Sequence, residues 1–553
     1  MKGGATMSTP RPRWTAPARR RLAAASAVAA SLLLAACGGS DGSAGSGSGD
    51  TVTIGTTDKV YALDPAGSFD AGSGAVIAQV YATLLDRPAG SSVLKPNLAA
   101  SAAFTGPKVY KVVLKPGLKF ANGNALTSQD VKFSFDRQLK IASTNGPSSL
   151  LYDLDRVETP DATTVLFHLK AADDQVFPQV LASGAGEIVD HTVFSPTAVT
   201  PDAAIVAKKP FAGPYTIGSF TANQLVQFRA NPNYQGILGK PSFPTVNLKY
   251  YALEDNLKLD LQQGGVDLAS RTLSITNLDS LSKQKGLTVY HGAATGFRYI
   301  VFDFKTQPYG TGTSQADPKK ALAVRQAVAH AVDRPGLAAQ VYKNTYRPVY
   351  TFLPDAVPTG SPVLKGLYGD GNGGPDKIKA AAVLKAAGVT TPVTLQLQYN
   401  TDHYGASSSD EFALIKNQLE STGLFTVKLQ STDWTQYAKQ RVSDAYPTFQ
   451  LGWYADYLDA QDFFQPLYGK NGFIGNHYED PALIDLIDEQ ATTPGDDKRA
   501  ALSLRIQQAL AAALPVVPLL QSSSNAVADE RVGGVQETLK TGGLPFGALK
   551  KAS

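Results

Sequence analysis

The single cysteine of this chain, Cys37, stands before everything that can fold. It follows a basic, acid-free leader (Lys2, Arg11, Arg13, Arg19, Arg20, Arg21) and a small apolar run, residues 22–36, which together read as an export signal over 1–36. That run is too short to span a bilayer as a mature helix. Residues 38–50, GGSDGSAGSGSGD, have nothing to bury and read with Cys37 as a flexible tether of about 20 Å mean reach. The body beyond has no disulfide and must be held by core burial alone. With 43% hydrophobic residues and a length past the limit of one core, it is expected to form two or more lobes. Setting aside the leader's six bases leaves 45 Lys and Arg against 47 Asp and Glu, a net charge near −2 and no footprint for nucleic acid.

Periodicity divides the body into two textures. Residues 51–55 read as a strand and 75–86 as a helix with Val76, Ile77, Val80, Tyr81, Leu84 and Leu85 on one stripe. The loop between them carries Phe69 and Asp70 and, in an α/β lobe, faces a ligand crevice. Then hairpins take over. Tyr110, Val112 and Leu114 alternate as far as Pro116-Gly117, and Thr127 to Asp130 make a capping box for a helix bearing Val131, Phe135 and Leu139. Val165, Phe167 and Leu169 alternate after a turn at Pro160-Asp161. This predicts an inserted α+β domain over 85–208. Later, Val393 to Tyr399 alternate, a helix with Phe412, Ile415 and Leu419 stops at Gly423, and Phe425, Val427 and Leu429 alternate again. That βαβ order predicts a mostly parallel sheet, and Asp317-Pro318 and Asp333 with Pro335 predict helix starts.

The stretch 449–464, FQLGWYADYLDAQDFF, holds the densest candidate chemistry. Phe449, Leu451 and Trp453 alternate as a strand, and Tyr454, Asp456, Tyr457, Asp459 and Asp462 then interleave aromatics with acids. A carboxylate among rings is poorly solvated and favours a cationic ligand group. The same pattern also reads as an aromatic core strand followed by an acidic loop. Catalytic motifs are lacking. H-E-x-x-H is absent, the G-x-S-x-G match at Gly38, Ser40 and Gly42 lies in the tether, and the G-x-G-x-x-G match at Gly369, Gly371 and Gly374 lies in a loop with no preceding strand. Six scattered histidines give little support for a direct metal site, so neither an enzyme nor a cofactor is expected.

Several phrases, in order, resemble the extracellular solute-binding proteins of the oligopeptide and dipeptide ABC transporter type, family 5. They are QVYATLL, KPNLAAS and YKVVLKPGLKFANGNALTSQDVKFSFDR, then FAGPYTIGSF with FRANPNYQG, LDLQQGGVDLA, AVRQAVAHAVDRPGLAAQVY, DKIKAAAVLKAAGV and GWYADYLDAQDFF. Leu34-Ala35-Ala36-Cys37 resembles the lipobox of bacterial lipoproteins, which implies lipid attachment at Cys37 on the outer face of the membrane. The resemblance implies a two-lobed α/β periplasmic-binding-protein-like fold, class II of the large peptide-binding type, with an extra α+β domain. Lobe I would comprise 51–84, 209–304 and 521–553, and lobe II 305–520, with hinge crossings near 299–305 and 516–521. It implies a monomeric receptor that hands peptides to ABC permease subunits served by a cytoplasmic ATPase. Asp456 would take the peptide amine, the backbone of Gly452, Trp453 and Tyr454 and the loop at Phe69 and Asp70 would sandwich the chain, and Trp453 and Tyr457 would line the pocket. Dipeptide-binding members carry an arginine after the strand matching VTLQLQYN, whereas Tyr399, Asn400 and their successors offer only His403. That departure leaves longer peptides, or an oligosaccharide, metal chelate or opine-like solute, open.

Overall fold

The computed structural model of the protein describes residues 50–552, apart from 271, 272, 402, 406 and 471. The leader, Cys37 and the tether as far as residue 49 lie outside the described residues. Two long antiparallel strands, Leu287–Phe302 and Val516–Asp529, form the axis of the fold, paired from Leu287 opposite Asp529 to Val301 opposite Val516. The halves around Ile300 and Val517 are buried on both faces, which suits their unbroken apolar sequence. This ribbon sits inside an 11-stranded sheet. On one flank follow Thr448–Tyr454, Val393–Tyr399 and Phe425–Ser431; on the other follow Leu268–Ser270, Thr51–Thr56, Thr245–Tyr250, Leu225–Ala230 and Tyr215–Thr221. Thr448–Tyr454 pairs with the ribbon only at residues 296–302, and Leu268–Ser270 only with residues 526–528, near the opposite end.

Two lobes thus hang from opposite ends of one ribbon, each with its own core. The first core gathers Ile300, Val324, Leu353, Phe412, Phe449 and Leu519; the second gathers Ile54, Val80, Phe228, Val246, Leu268 and Ala526. Tyr299 to Phe302 and Val516 to Leu520, where the crossings were expected, belong mostly to the first core. The ribbon passes between cores at residues 292–296 and 522–525, where its register shifts between His291 and Ala294 and again before Gly296. Such bulges bend and twist a strand pair locally. A Cβ on Gly296 would stand 2.5 Å from the Trp453 carbonyl oxygen, so glycine there permits the close approach of Thr448–Tyr454.

The sheet is mixed rather than mostly parallel. Val393–Tyr399 pairs in parallel with Phe425–Ser431 and with the start of Thr448–Tyr454, as the βαβ order implies. The ribbon and its contact with Thr448–Tyr454 are antiparallel. Local strand order describes crossovers inside one lobe and carries no signal for pairing between segments from opposite ends of the body.

The hairpin region forms a third unit, a four-stranded antiparallel sheet in the order Ala99–Gly106, Val109–Leu114, Thr164–Leu169, Leu154–Glu158. Tyr110, Val112, Leu114, Val165, Phe167 and Leu169 all face its core. The helix Ser128–Ile141 covers that sheet, and its capping box is formed, with the Thr127 amide donating to Asp130 Oδ2 at 2.8 Å. Val131 and Phe135 are buried, but Leu139 is exposed. The expected helix 75–86 is instead Ala71–Val80, begun by Asp70 and ended by the extended conformation of Tyr81. Its stripe splits: Val76, Ile77, Val80 and Tyr81 enter the second core, and Leu84 and Leu85 enter the third. Among the described residues no helix is long and apolar enough to cross a membrane.

A buried ion pair fastens the third unit to the second core. Arg137 donates to both oxygens of Asp64 at 2.9 and 2.8 Å, with both side chains at most 2% exposed. Asp64 also accepts from the Ala66 and Thr200 amides, and Arg137 donates to the Ser195 and Ala198 carbonyls, so the pair is well satisfied. Removing one partner strands the other charge in the interior. Arg137→Leu is expected to lower unfolding free energy by about 3–5 kcal/mol in urea titrations, with Arg137→Leu/Asp64→Leu recovering part of the loss.

Candidate ligand-binding site

Thr448–Tyr454 is buried through Leu451 and then rises out of cover, so that Tyr454 is half exposed. The chain leaves the sheet as the Ala455 amide bonds the Thr295 carbonyl at 2.8 Å, and the acids follow. Each acid has a different fate. Asp459 is clasped by Arg499 at 2.7 and 2.8 Å. Asp462, in the helix Gln461–Tyr468 and 2% exposed, accepts the Asp456 amide at 2.8 Å. The Asp456 carboxylate has neither a hydrogen-bond donor nor a cation among the described residues, and it lines a cavity of about 410 Å³. Burial pushes the Asp456 carboxyl up to about 6, and burial together with the neighbouring Asp456 charge holds Asp462 well above the carboxylate range.

The cavity brings three of the expected residues together. Asp456 lines it together with Phe69 and Asp70, and with Ser183, Glu187 and Tyr234. Its volume lies within the range of small-ligand pockets. Four acids line it, Asp70, Asp86, Glu187 and Asp456, and no lysine, arginine or histidine does. Asp70 is already occupied, since it caps Ala71–Val80 by accepting the Ser73 amide at 2.8 Å and takes the Ser68 hydroxyl on its other oxygen. Phe69 is exposed and offers a ring to whatever enters.

The remaining expected residues lie outside the cavity; Tyr454 is half exposed at the strand end, and packing or hydrogen bonding accounts for the others. Tyr457 is buried in the third core. Trp453 packs edge-on against Phe473, and the Gly452 amide donates to Tyr404 Oη at 3.1 Å, so that strand edge is capped by a side chain. Tyr399 stacks on Phe412. Asn400, fully buried, shapes a turn by donating to the Thr432 carbonyl at 2.9 Å and accepting the His403 amide at 2.7 Å. His403 stacks on Trp434 with ring centroids 3.8 Å apart. The guanidinium nearest the strand end, Arg298 opposite Gly452, is 4% exposed and paired with Glu411 at 2.7 Å.

Sequence reasoning passed over Asp86 and Glu187. Both are acids set in apolar or small-residue runs, Leu84-Leu85-Asp86 and Gly186-Glu187-Ile188-Val189. A lone carboxylate in a segment otherwise bound for a core was the available signal.

Comparison with known proteins supplies the family. The chain is 24% identical to Di/tripeptide-binding protein 1 of Pseudomonas aeruginosa over 460 residues, covering 78% of this chain and 82% of that one. It is 22% identical to the oligopeptide-binding protein OppA of Bacillus subtilis over 528 residues, covering 90% and 93%. A further match, 28% identical to the probable D,D-dipeptide-binding periplasmic protein DdpA of Escherichia coli, spans about half of each chain, 49% and 52%. Among solved structures, the ABC transporter substrate-binding protein CtaP of Listeria monocytogenes superposes with a TM-score of 0.75 at 21% identity, covering 91% of this chain and 99% of that one. The peptide complex of DppA from Helicobacter pylori does so with a TM-score of 0.68 at 19% identity, covering 91% and 98%. The profile of the bacterial extracellular solute-binding proteins, family 5, matches residues 93–475, and the chain belongs to that family of binding components rather than to the enzymes.

Proposed function

We propose that the chain captures peptides outside the cell by their α-ammonium group and delivers them to the permease of an ABC importer. The observation that carries this reading is the unpaired Asp456 carboxylate, brought by one lobe into a cavity that Phe69 and Asp70 of the other also line. An ammonium group would supply both the missing charge and the missing donors. The names of the relatives above point to the same ligand class. With no base among the lining residues to receive a terminal carboxylate, longer peptides whose carboxyl end extends past the cavity suit the site better than dipeptides. Closure follows from the ribbon. A ligand that touches both walls binds the closed arrangement more tightly, and the bulges at 292–296 opposite 522–525 are the hinge we assign. Cys37 would carry the lipid that holds this monomeric receptor on the outer membrane face.

The pH dependence follows from Asp456. Its folded-state carboxyl titrates near 6, above its unfolded value of 3.8, so the ligand-free fold is favoured below 3.8 and loses that contribution as pH rises through about 6. Peptide binding needs the carboxylate and strengthens over the same rise. Asp456→Asn is expected to raise the Tm of the empty protein at pH 7.5, with the gain shrinking toward pH 4. The same variant should weaken peptide binding by at least 2 kcal/mol, about 30-fold, in calorimetric titrations at pH 7.5. Unchanged affinity would remove Asp456 from the site. Cys37→Ala is expected to move the protein from the membrane fraction to the soluble exported fraction, read by fractionation and immunoblot.

A further inference from the structure

Asp456 is not the only carboxylate in the cavity without a partner. Glu187 follows the short turn Gly184–Gly186 and lines the same cavity as Asp456. It is 8% exposed, and its Oε2 has no hydrogen-bond partner. Asp86 lines it too, close enough for its charge to oppose ionisation of Glu187, and accepts only the Arg87 amide, at 2.7 Å. The nearest base, Arg87, directs its guanidinium elsewhere, donating to the Ser92 carbonyl at 3.2 Å and to Gln179. Burial keeps such an acid in its neutral form, and a positive group brought beside it would favour the charged one.

We propose that the cavity takes a ligand with two positive centres, specifically a peptide bearing a lysine- or arginine-like side chain near its amino end. Asp456 receives the terminal ammonium from one wall, and Asp86 with Glu187 receives the side-chain cation from the other. This rests on the peptide reading and adds the side-chain class to it. A dication of this kind also spans the cleft. One charge is anchored on the loop after Thr448–Tyr454 and the other on the wall built by the third unit, so binding and closure reinforce each other.

The test is calorimetric titration at pH 7.5 of the full exported protein with Lys-Ala-Ala, its ε-acetylated form, Ala-Ala-Ala and 1,5-diaminopentane, against wild type, Glu187→Gln, Asp86→Asn and Asp456→Asn. Wild type is expected to bind Lys-Ala-Ala about tenfold or more tighter than the acetylated form, and either Glu187→Gln or Asp86→Asn should reduce that preference to about threefold or less. Equal binding of Lys-Ala-Ala and its acetylated form by wild type, with Asp456→Asn still weakening both, would overturn the second cation subsite and leave peptide capture standing. Binding of the diamine with no binding of any peptide would keep two-centre recognition but overturn its peptide form, and the function proposed above with it. Glu187→Gln and Asp86→Asn each replace a carboxyl by an amide of the same shape, so correct folding of at least one, checked by circular dichroism, is expected.

Discussion

One two-stranded ribbon bears both lobes, and the rest of the molecule depends on it. Leu287–Phe302 and Val516–Asp529 are buried in the first core at one end and contribute Ala526 and Ala528 to the second at the other. Each end packs in its own core, and between them the register shifts from His291 to Gly296, with a further shift at Arg298 and Tyr299; the hinge we assign is the first of these. The acidic loop is tied to that same place, since the Ala455 amide bonds Thr295, one residue before Gly296 and one before Asp456. A change in the ribbon's bend therefore changes where Asp456 points. In the function proposed here, the hinge and the ligand anchor are therefore one element.

Charge explains why the cavity is shaped for a ligand rather than for stability. Three buried acids elsewhere are matched by arginines, Asp64 by Arg137, Asp459 by Arg499 and Glu411 by Arg298, whereas Asp153, Asp303 and Asp462 have no paired cation among the described residues. In the cavity Asp456 and Glu187 are likewise left to burial, which raises both carboxyls. Partners were within the protein's means, as the Asp459 clasp three residues from Asp456 demonstrates. Leaving these carboxylates unmatched costs the empty protein stability that a cationic ligand restores on arrival.

Much of this was legible in the sequence because it is local. The alternation of Tyr110, Val112 and Leu114, the capping box at Thr127, and the Asp317 and Asp333 helix starts each depend on a few neighbouring residues, and each is present. The acids among rings at 456, 459 and 462 were legible in the same local way, and the family resemblance singled out Asp456 among them. What the sequence could not convey depends on long-range pairing. The stripe 76–85 looked like one helix because two cores share it, Trp453 and Tyr457 looked like pocket residues because aromatic packing and aromatic recognition use the same residue types, and His403, raised as the one base of its segment, stacks on Trp434. Glu187 was invisible as a site residue until the third unit folded beside the second core and turned a buried segment into a cavity wall.

The decisive measurement is native mass spectrometry of protein purified without a denaturing step, followed by denaturing release of whatever it carries. Wild-type protein should release peptides with free amino termini, and Asp456→Ala protein should release few or none. A single neutral sugar or a metal chelate, released alike from both proteins, would contradict capture of an ammonium group by Asp456.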